Sequence, residues 1–408
     1  MLRTPILNVL SIGWGRIHHL LERLGVKEMG LDFPVKWVRE GKADLLVPAV
    51  TEIRRSSIPF YNPVTSLNRD ISLAVVMGMG KPRVADAMTG IGSRAIRYAI
   101  EGAYVEANDL SPSSLSLLLV SARKNGVLNR IGMQSTDARA FLSAESAPNN
   151  RFDFVDLDPF GSPAPFLDSA LAAVKAGGLL AFTATDLATL CGHYPKALLE
   201  KYGCFGFRSE FCHEMAIRIL IGYIYRRARL QNIFIEPMLS FYADHYVRIF
   251  VKVAMNRVVD PDLASGFVFY FPRNKKRTWG NDPKALIDKN QEGKLGGPLW
   301  IGRIASSSFI EKIRYTVNLR QDAFQNYFRV NKLLGLLQGE LDYPPFFYVV
   351  PTLLAGGNPP MSELIKILND GGIRASLTHF DGQGIRFDPG DEEPSIFLAR
   401  SLNPSHMM

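Results

Sequence analysis

The chain has 408 residues, which is enough for two domains, and its hydrophobic content of 47% is ordinary for a globular protein with large cores. Its formal net charge of +8 fits a protein that handles a polyanion such as RNA, although the basic excess is modest. Three cysteines exclude a disulfide scaffold and fit a reducing compartment, and no apolar run is long enough to span a membrane.

Residues 1–35 are predicted to be an N-terminal extension that precedes a first domain at 36–256. An amphipathic helical pattern surrounds Trp14–Leu24, and no acidic residue precedes Glu22. The pattern allows an organellar transit peptide, and it also allows an upstream start codon with the native start near Met29. We therefore expect an extension that is poorly ordered or not native.

The first strand–turn–helix signal lies at residues 83–97. A short β-type run ends at Asp86, and a turn with Gly90 and Gly92 leads into a helical pattern. Glycines let a ligand approach the backbone closely, and Asp86 is expected near the carboxyl edge of a sheet, where open α/β sheets bind ligands. Ala95 replaces the third glycine of a dinucleotide-binding turn, a variant that such turns tolerate. The turn alone therefore does not separate NAD from S-adenosylmethionine.

The next two predicted strands also end in acids. Asp109 follows the glycines by about 20 residues, where an acid binds the vicinal ribose hydroxyls of either cofactor. Its alternative role is to cap the helix Pro112–Asn125, for which Ser111 is better placed. Asp137 could accept a hydrogen bond from an adenine amino group or could simply start the helix Ala138–Ala144. Both interpretations of Asp137 stay open.

Strand and helix signals alternate through this first domain. Further strand signals follow at 178–186, Ile233–Tyr242 and Tyr246–Val253. Such alternation predicts an α/β fold with a doubly wound, mainly parallel, Rossmann-like sheet. An α+β domain at 257–387 and a tail at 388–408 complete the predicted organisation.

The most informative stretch is Asp153–Pro163, an apolar strand that ends in Asp158, Pro159 and Phe160. A carboxylate that accepts N–H bonds, a proline that fixes the turn and an aromatic ring that stacks are the groups needed to hold a planar amine. Alternation along the strand points Asp156 away from Asp158, so Asp156 is predicted to be structural. With the glycine turn upstream, the motif suggests methylation of a nucleobase amine.

The stretch Asp156–Pro163 resembles the signature of the tRNA guanine-N2 dimethyltransferases. Other stretches are similar to the same family, in order, from about Val38 to about Phe387. They are Phe60–Pro63, Asn68–Asp70, Thr183–Asp186, Cys191–Gly192, Cys212–Glu214, Asp244–Arg248, Gly297–Gly302 and Thr378–Phe380. The resemblance implies a class I S-adenosylmethionine-dependent methyltransferase domain.

The resemblance also implies roles for the matching positions. The residues that resemble the family's S-adenosylmethionine contacts are Arg69, Arg94, Asp109, Asp137 and Ala138. The strand–turn pattern adds Asp86 and Gly90 to the predicted cofactor site. Asp158 resembles the catalytic acid, and Phe60 and Phe160 resemble the aromatics that hold the target guanine. Without the family match, Arg69 and Arg94 could be solvated helix residues and Phe60 a packing residue before the turn. Phe160 follows from the motif itself, with ordinary core packing as its alternative.

The expected reaction is transfer of methyl groups from S-adenosylmethionine to N2 of guanine at position 26 of tRNA, giving N2-methyl- and N2,N2-dimethylguanosine. Asp158 and the Pro159 carbonyl would accept the N–H bonds of the amine. Phe60 and Phe160 would replace the stacking neighbours of the flipped base. Alternatives are N2 methylation at another tRNA position or in ribosomal RNA and, from a different class, a tRNA-binding folding helper. An NAD oxidoreductase is disfavoured because no obvious hydride-transfer side chain follows the glycine turn.

The expected partner is tRNA, bound by a cytoplasmic monomer without a membrane partner; organellar or nuclear targeting stays open. Cys191, His193, Cys212 and His213 invite a zinc interpretation. Adjacent ligands such as Cys212 and His213 are geometrically awkward, and the chain has no Cys-x-x-Cys pair. We therefore expect no metal.

The second domain is expected to dock the tRNA body. Helical periodicity covers Phe309–Gly339, and Ser362 is predicted to cap a helix Ser362–Leu368. Asp381–Gly384 is a hairpin signal between two strand-like runs. The family continues its last strand with a Lys-Thr pair where this chain has Arg386-Phe387, a change expected to alter local phosphate contacts. The tail from Asp388 is predicted to be poorly ordered.

Overall fold

A computed structural model of the chain describes residues 31, 33–49, 58–254, 265–287, 292–354 and 359–402. The predicted helix around Trp14–Leu24, and nearly all of the predicted N-terminal extension, lie outside these residues. Within the described part of the chain, no helix combines the length and the apolar character needed to cross a bilayer.

The strands are numbered in chain order. They are β1 (Val35–Glu40), β2 (Ala43–Pro48), β3 (Arg83–Asp86), β4 (Tyr104–Asn108), β5 (Ile131–Gln134), β6 (Phe152–Leu157), β7 (Val174–Ala184), β8 (Phe234–Ala243), β9 (Tyr246–Ala254), β10 (Gly266–Tyr270), β11 (Arg277–Gly280), β12 (Lys294–Leu299), β13 (Tyr348–Val349), β14 (Ser376–Leu377) and β15 (Gly384–Arg386).

The α-helices follow the same convention. They are α1 (Ser66–Gly78), α2 (Ser93–Ile100), α3 (Pro112–Lys124), α4 (Ala138–Ala144), α5 (Leu167–Ala173), α6 (Leu187–Leu190), α7 (Pro195–Tyr202), α8 (Cys212–Arg229), α9 (Pro283–Leu286), α10 (Ser307–Leu319), α11 (Tyr327–Glu340), α12 (Met361–Asp370) and α13 (Pro394–Ser401).

The central sheet has seven strands in the order β5-β4-β3-β6-β7-β9-β8. Its first five strands are parallel. Strand β9 runs antiparallel to β7, and β8 pairs antiparallel with β9 at the far edge. The strand order reverses direction at β3, which makes the sheet doubly wound. The predicted α/β fold with a mainly parallel sheet is confirmed.

Helices cover both faces of this sheet, as strands that are buried on both sides require. On one face α1, α2 and α3 share a buried cluster with the β1–β2 hairpin, and α10 and α11 join it. On the other face α4, α5 and α8 pack together with residues from β10 and β12. A smaller third cluster lies between β13 and α13. Residues on both sides of the predicted boundary at 256/257 therefore share cores, and the position of that boundary stays a prediction.

Three C-terminal predictions are wrong. The helical stretch Phe309–Gly339 is two helices, α10 and α11, separated by residues 320–326. Ser362 does not cap α12, which begins one residue earlier and has Pro360 before it without a side-chain cap bond. The tail contains α13, and Leu398 on this helix is fully buried in the third cluster, so its burial orders the segment. The hairpin prediction is confirmed, because β14 and β15 pair antiparallel.

Candidate active site

The acids that end neighbouring strands lie at the carboxyl edge of the sheet. Strand β3 pairs with both β4 and β6, which places Asp86 level with Ala107 on one side and with Asp156 on the other. Asp109 and Asp158 follow these two neighbouring strands. The doubly wound sheet therefore brings these sequence-predicted acids to one edge, where such sheets bind ligands.

The glycine turn after β3 is held by the acid after β4. The Gly90 N–H donates to Asp109 Oδ2 at 2.8 Å. A Cβ on Gly90 would meet only the carbonyl oxygen of Phe60, at 3.8 Å, so the turn borders open space. Gly92 has a φ of 81°, and a Cβ there would lie 2.2 Å from Leu118 Cδ1. The turn therefore requires glycine and presents bare backbone to the cleft.

Asp137 and Ala138 lie at the start of α4. The Asp137 carboxylate accepts hydrogen bonds from the backbone N–H groups of Arg139 and Ala140, at 2.9 and 3.4 Å. A side-chain hydrogen bond from Arg139 lowers the pKa of Asp137. Through these contacts Asp137 caps the start of α4, which is one of the two roles that the sequence left open. Contact of Asp137 or Ala138 with a cofactor stays a prediction.

Asp158 is paired with Arg94. Arg94 Nη1 lies 2.5 Å from Asp158 Oδ2, and the two side chains are 9% and 27% exposed. Burial raises the pKa of Asp158, but Arg94, Arg248 and a hydrogen bond with Thr183 together outweigh it and hold that pKa below its usual range. Asp158 is therefore a carboxylate at neutral pH and can accept N–H bonds.

Arg94 keeps donors for another group. Its Nε and Nη2 are buried and have no hydrogen-bond partner among the described residues, with Nε 3.6 Å from Asp156 Oδ2. A buried donor without a partner costs free energy, so a ligand with acceptor oxygens would be stabilised here. Arg94 is therefore a buried residue and not the solvated helix residue that its sequence context alone indicates.

Asp156 supports the site from inside the sheet. It is buried and accepts hydrogen bonds from Arg248 Nη2 and from the Tyr98 hydroxyl, each at 2.8 Å. Arg248 Nη1 also donates to Thr183 Oγ1 at 2.9 Å. The structural role predicted for Asp156 is confirmed. Sequence reasoning missed the roles of Arg248 and Thr183, although both lie in stretches that match the family.

The motif loop after β6 is tied to the end of β7. The Gly161 N–H donates to Thr185 Oγ1 at 2.8 Å, and the Thr185 N–H donates to the Gly161 carbonyl at 2.9 Å. The Tyr202 hydroxyl lies 2.6 Å from Ser162 Oγ and donates to Asp186 at 3.0 Å. These contacts, which periodicity does not reveal, anchor the loop that carries Pro159 and Phe160.

Phe60 and Phe160 form an aromatic pair that is open to solvent. Their ring centroids lie 5.2 Å apart and their planes are inclined by 71°. Phe60 is 43% exposed and Phe160 is 79% exposed, so the packing role considered as the alternative for each ring is wrong. Two exposed rings, one of them two residues after the Asp158 carboxylate, suit a planar heterocycle with hydrogen-bond donors.

Arg69 is buried behind the site and tied to Glu40. Its Nη2 donates to Glu40 Oε2 at 2.7 Å and its Nη1 donates to Thr65 Oγ1 at 2.7 Å. Arg69 also donates to the carbonyl of Asn62, in the segment that follows Phe60. The solvated role considered for Arg69 is therefore wrong. Its contact with a cofactor stays a prediction.

Asp86 is buried beneath the glycine turn. Burial, followed by the charge of Asp156, raises the pKa of Asp86 to about 7, although Arg94 lowers it. The Thr89 hydroxyl donates to Asp86 Oδ2 at 2.7 Å. Asp86 is therefore divided between its neutral and charged forms at neutral pH, whereas Asp158 is charged.

The whole architecture occurs in a solved structure, that of Trm1 from Pyrococcus horikoshii in complex with S-adenosyl-L-methionine. The two share 30% sequence identity at a TM-score of 0.76, over 90% of this chain and 99% of that chain. With the sheet order and the strand-end site, this similarity defines a class I methyltransferase.

The family within that class follows from the sequence. The family of N2,N2-dimethylguanosine tRNA methyltransferases matches residues 41–393. The tRNA (guanine(26)-N(2))-dimethyltransferase of Thermococcus kodakarensis is 36% identical over 373 residues, which are 86% of this chain and 95% of that protein. Its counterpart in Saccharolobus solfataricus is 33% identical over 391 residues, covering 88% and 97%. The chain belongs to this family, which confirms the resemblance seen in its motifs.

Proposed function

We propose that this chain transfers methyl groups from S-adenosylmethionine to N2 of guanine at position 26 of tRNA, giving N2-methyl- and N2,N2-dimethylguanosine. The observation that carries the proposal is an ionised Asp158 two residues before Phe160, whose exposed ring pairs with that of Phe60. The names of the relatives at 33–36% identity support the substrate and the position.

The residues at the strand ends fit the proposed cofactor. Asp109 lies where the ribose hydroxyls are bound in such sheets, and Gly90 leaves open space beside it. The orphaned Nε and Nη2 of Arg94 suit the carboxylate of the amino-acid end. When bound, the cofactor supplies an activated methyl group on a sulfonium. Asp86, Asp137 and Ala138 are the further residues that we propose to line this site.

The target amine needs help because the N2 lone pair of guanine is delocalised into the ring. An ionised Asp158 and the Pro159 carbonyl would accept its N–H bonds and orient the lone pair. Asp158 then takes the released proton or passes it to water. Because the low pKa of Asp158 makes it a weak base, alignment accounts for more of the rate than proton abstraction does.

A guanine inside folded tRNA must leave its stack to reach Asp158. Unstacking costs a few kcal/mol, and contact with aromatic rings offsets it. Phe60 and Phe160 are exposed and 5.2 Å apart, so they would hold the flipped base against the motif loop. Neither ring has to leave a core to do so.

Labelled methyl transfer to unmodified tRNA transcripts, followed by nucleoside mass analysis, tests the proposal. Wild type should yield N2,N2-dimethylguanosine, and Asp158→Asn should slow transfer by about 10²–10⁴-fold, the range for removal of an acid–base group. A transcript with A at position 26 should accept no methyl. Asp168→Asn, which changes an exposed acid on α5, should keep full activity. The role of Asp158 would be refuted if both variants lost activity, or if Asp158→Asn kept the activity of the wild type.

The alternatives give different results. Methylation that survives the change at position 26 moves the target to another tRNA nucleotide, and transfer to ribosomal RNA alone replaces tRNA. Refolding of tRNA by Asp158→Asn as fast as by wild type would favour a folding helper. We also propose a cytoplasmic monomer, which light scattering in solution and localisation of a tagged chain test.

A further inference from the structure

Two thiols and an imidazole converge at one place in the fold. Ligand atoms of Cys191, Cys212 and His213 all lie within 4.8 Å of one another. His193, the fourth residue considered from the sequence, is exposed and does not belong to this group. Cys212 and His213 are adjacent in sequence, which made them awkward candidates for ligands. In the structure, their ligand atoms nevertheless lie close to each other and to Cys191.

Two helix ends deliver these side chains. Cys191 caps the C-terminus of α6, and its N–H donates to the Leu187 carbonyl at 2.7 Å. Gly192 follows with a φ of 77°, and a Cβ there would lie 2.6 Å from backbone atoms of Phe207. Only glycine allows this close approach, which brings the end of α6 against the segment that leads into α8. Cys212 and His213 are the first two residues of α8.

The three side chains are held before any ion binds. The Cys191 and Cys212 thiols share a hydrogen bond. The His213 ring stacks on Tyr242 with centroids 3.8 Å apart and planes inclined by 7°. The stacking fixes the orientation of the ring, and an imidazole is a common metal ligand.

The donor set defines the class of ion. Two thiolates and one imidazole supply three of the four ligands of a tetrahedral site, with donor atoms that Zn²⁺ prefers and that Mg²⁺ and Ca²⁺ do not. Cys191 is 4% exposed, whereas Cys212 and His213 are half-buried. One side of the group is therefore accessible, which suits three protein ligands with solvent as the fourth.

We propose that Cys191, Cys212 and His213 bind one Zn²⁺ ion that fastens the end of α6 to the start of α8. The ion would be structural and take no part in methyl transfer. Glu214, the residue after His213, joins α8 to the C-terminal region, because its Oε2 accepts a hydrogen bond from Arg386 Nη2 at 2.9 Å. The site would therefore stabilise the end of α8 from which that contact is made.

Cobalt titration of the reduced, metal-free chain tests the proposal by spectroscopy. Wild type should develop thiolate-to-cobalt charge-transfer absorption that saturates near one equivalent and disappears when Zn²⁺ is added. Cys191→Ser and Cys212→Ser should bind at least about tenfold more weakly, since even changes to residues that only orient a ligand cost that much. His213→Gln should keep the charge-transfer band and change the visible d–d bands.

Cys204→Ser is the matched control. Cys204 is also a buried cysteine, but its thiol donates to the Phe205 carbonyl and lies outside the group. It should bind cobalt as wild type does. The proposal would be overturned if wild type gave no charge-transfer band although a thiol assay found all three cysteines reduced. An unchanged band in Cys191→Ser and Cys212→Ser would also overturn it. Zn²⁺ should also raise the melting temperature of wild type and of Cys204→Ser, and an unchanged melting temperature would count against a structural ion.

Discussion

Phe160 is the most informative single side chain because its exposure separates function from folding. A phenyl ring that is 79% exposed adds little to the stability of the core. Its edge-to-face contact with Phe60 joins two exposed rings only. A change at Phe160 should therefore act on the substrate and leave the fold intact.

We predict that Phe160→Ala lowers kcat/KM for tRNA by about 5–150-fold, the equivalent of the 1–3 kcal/mol of one base–aromatic stack. Thermal unfolding and S-adenosylmethionine binding should stay unchanged. Tyr104→Ala is the matched control, because Tyr104 is 53% exposed at the start of β4, the end of the strand away from the candidate site. Steady-state methylation and calorimetric titration measure both effects. Equal losses in the two variants would show that Phe160 has no special role.

Asp86 gives a second prediction, on pH. Its pKa is about 7 in the folded protein and 3.8 as an ordinary value, so the folded state binds the proton more tightly than the unfolded chain does. The tighter proton binding by Asp86 therefore stabilises the folded state most below pH 4. This stabilisation falls as the pH rises to about 7, and above that pH it is absent. Between pH 5 and 8, wild type should lose about 3 kcal/mol relative to Asp86→Asn. Urea unfolding of both proteins measures the difference, and a parallel pH dependence would refute it.

The functional residues at the ends of the strands could be predicted from the sequence. The residues from other helices and strands that pair with them could not. Asp109, Asp158 and Phe160 follow from motif and spacing alone. The ion pair of Asp158 with Arg94 joins β6 to α2, and no periodicity encodes that distance. For the same reason Arg69 looks solvated in sequence, although Glu40 on β1 holds it.

At the scale of elements, the strands of the central sheet were predictable because apolar runs and turn residues mark them. The break between α10 and α11 was not, since apolar periodicity continues across it. Asp70 on α1 accepts the backbone N–H groups of Gln325 and Asn326, at 3.3 and 2.7 Å. A buried tertiary acceptor therefore satisfies the loop backbone that a continuous helix would have satisfied internally.

We predict that Asp70→Ala destabilises the protein by about 3–5 kcal/mol, because it leaves the buried Arg97 without one of its carboxylates and the loop without its acceptor. Asp322→Ala, in the same loop, removes an ion pair with Lys42 whose carboxylate is exposed, and it should cause no measurable loss. Urea unfolding of the two variants measures the contrast. A small effect of Asp70→Ala would mean that residues 320–326 have another source of order.

At the scale of the whole molecule, one buried arginine joins the third core to the methyltransferase sheet. Arg386 on β15 donates to Glu214 on α8 at 2.9 Å and to Glu340 on α11 at 2.6 Å. Thr378 donates to the same Glu340 at 2.6 Å. The family-matching stretches around Glu214 and Thr378 therefore meet in one ion-pair network. The expected change in phosphate contacts at Arg386 is wrong, since its side chain is only 3% exposed.

We predict that Arg386→Met costs about 3–5 kcal/mol of unfolding free energy, because two buried carboxylates lose their shared cation. Arg386→Lys should lose less but not nothing, since an ammonium keeps the charge and cannot fork to two carboxylates as guanidinium does. Arg303→Met is the matched control, because its ion pair with Asp342 is exposed on both sides. Denaturant unfolding orders the three variants. If Arg386→Met were as stable as Arg303→Met, the joint between the third core and the sheet would have to rest on apolar packing, and the charges of Glu214 and Glu340 would need another explanation.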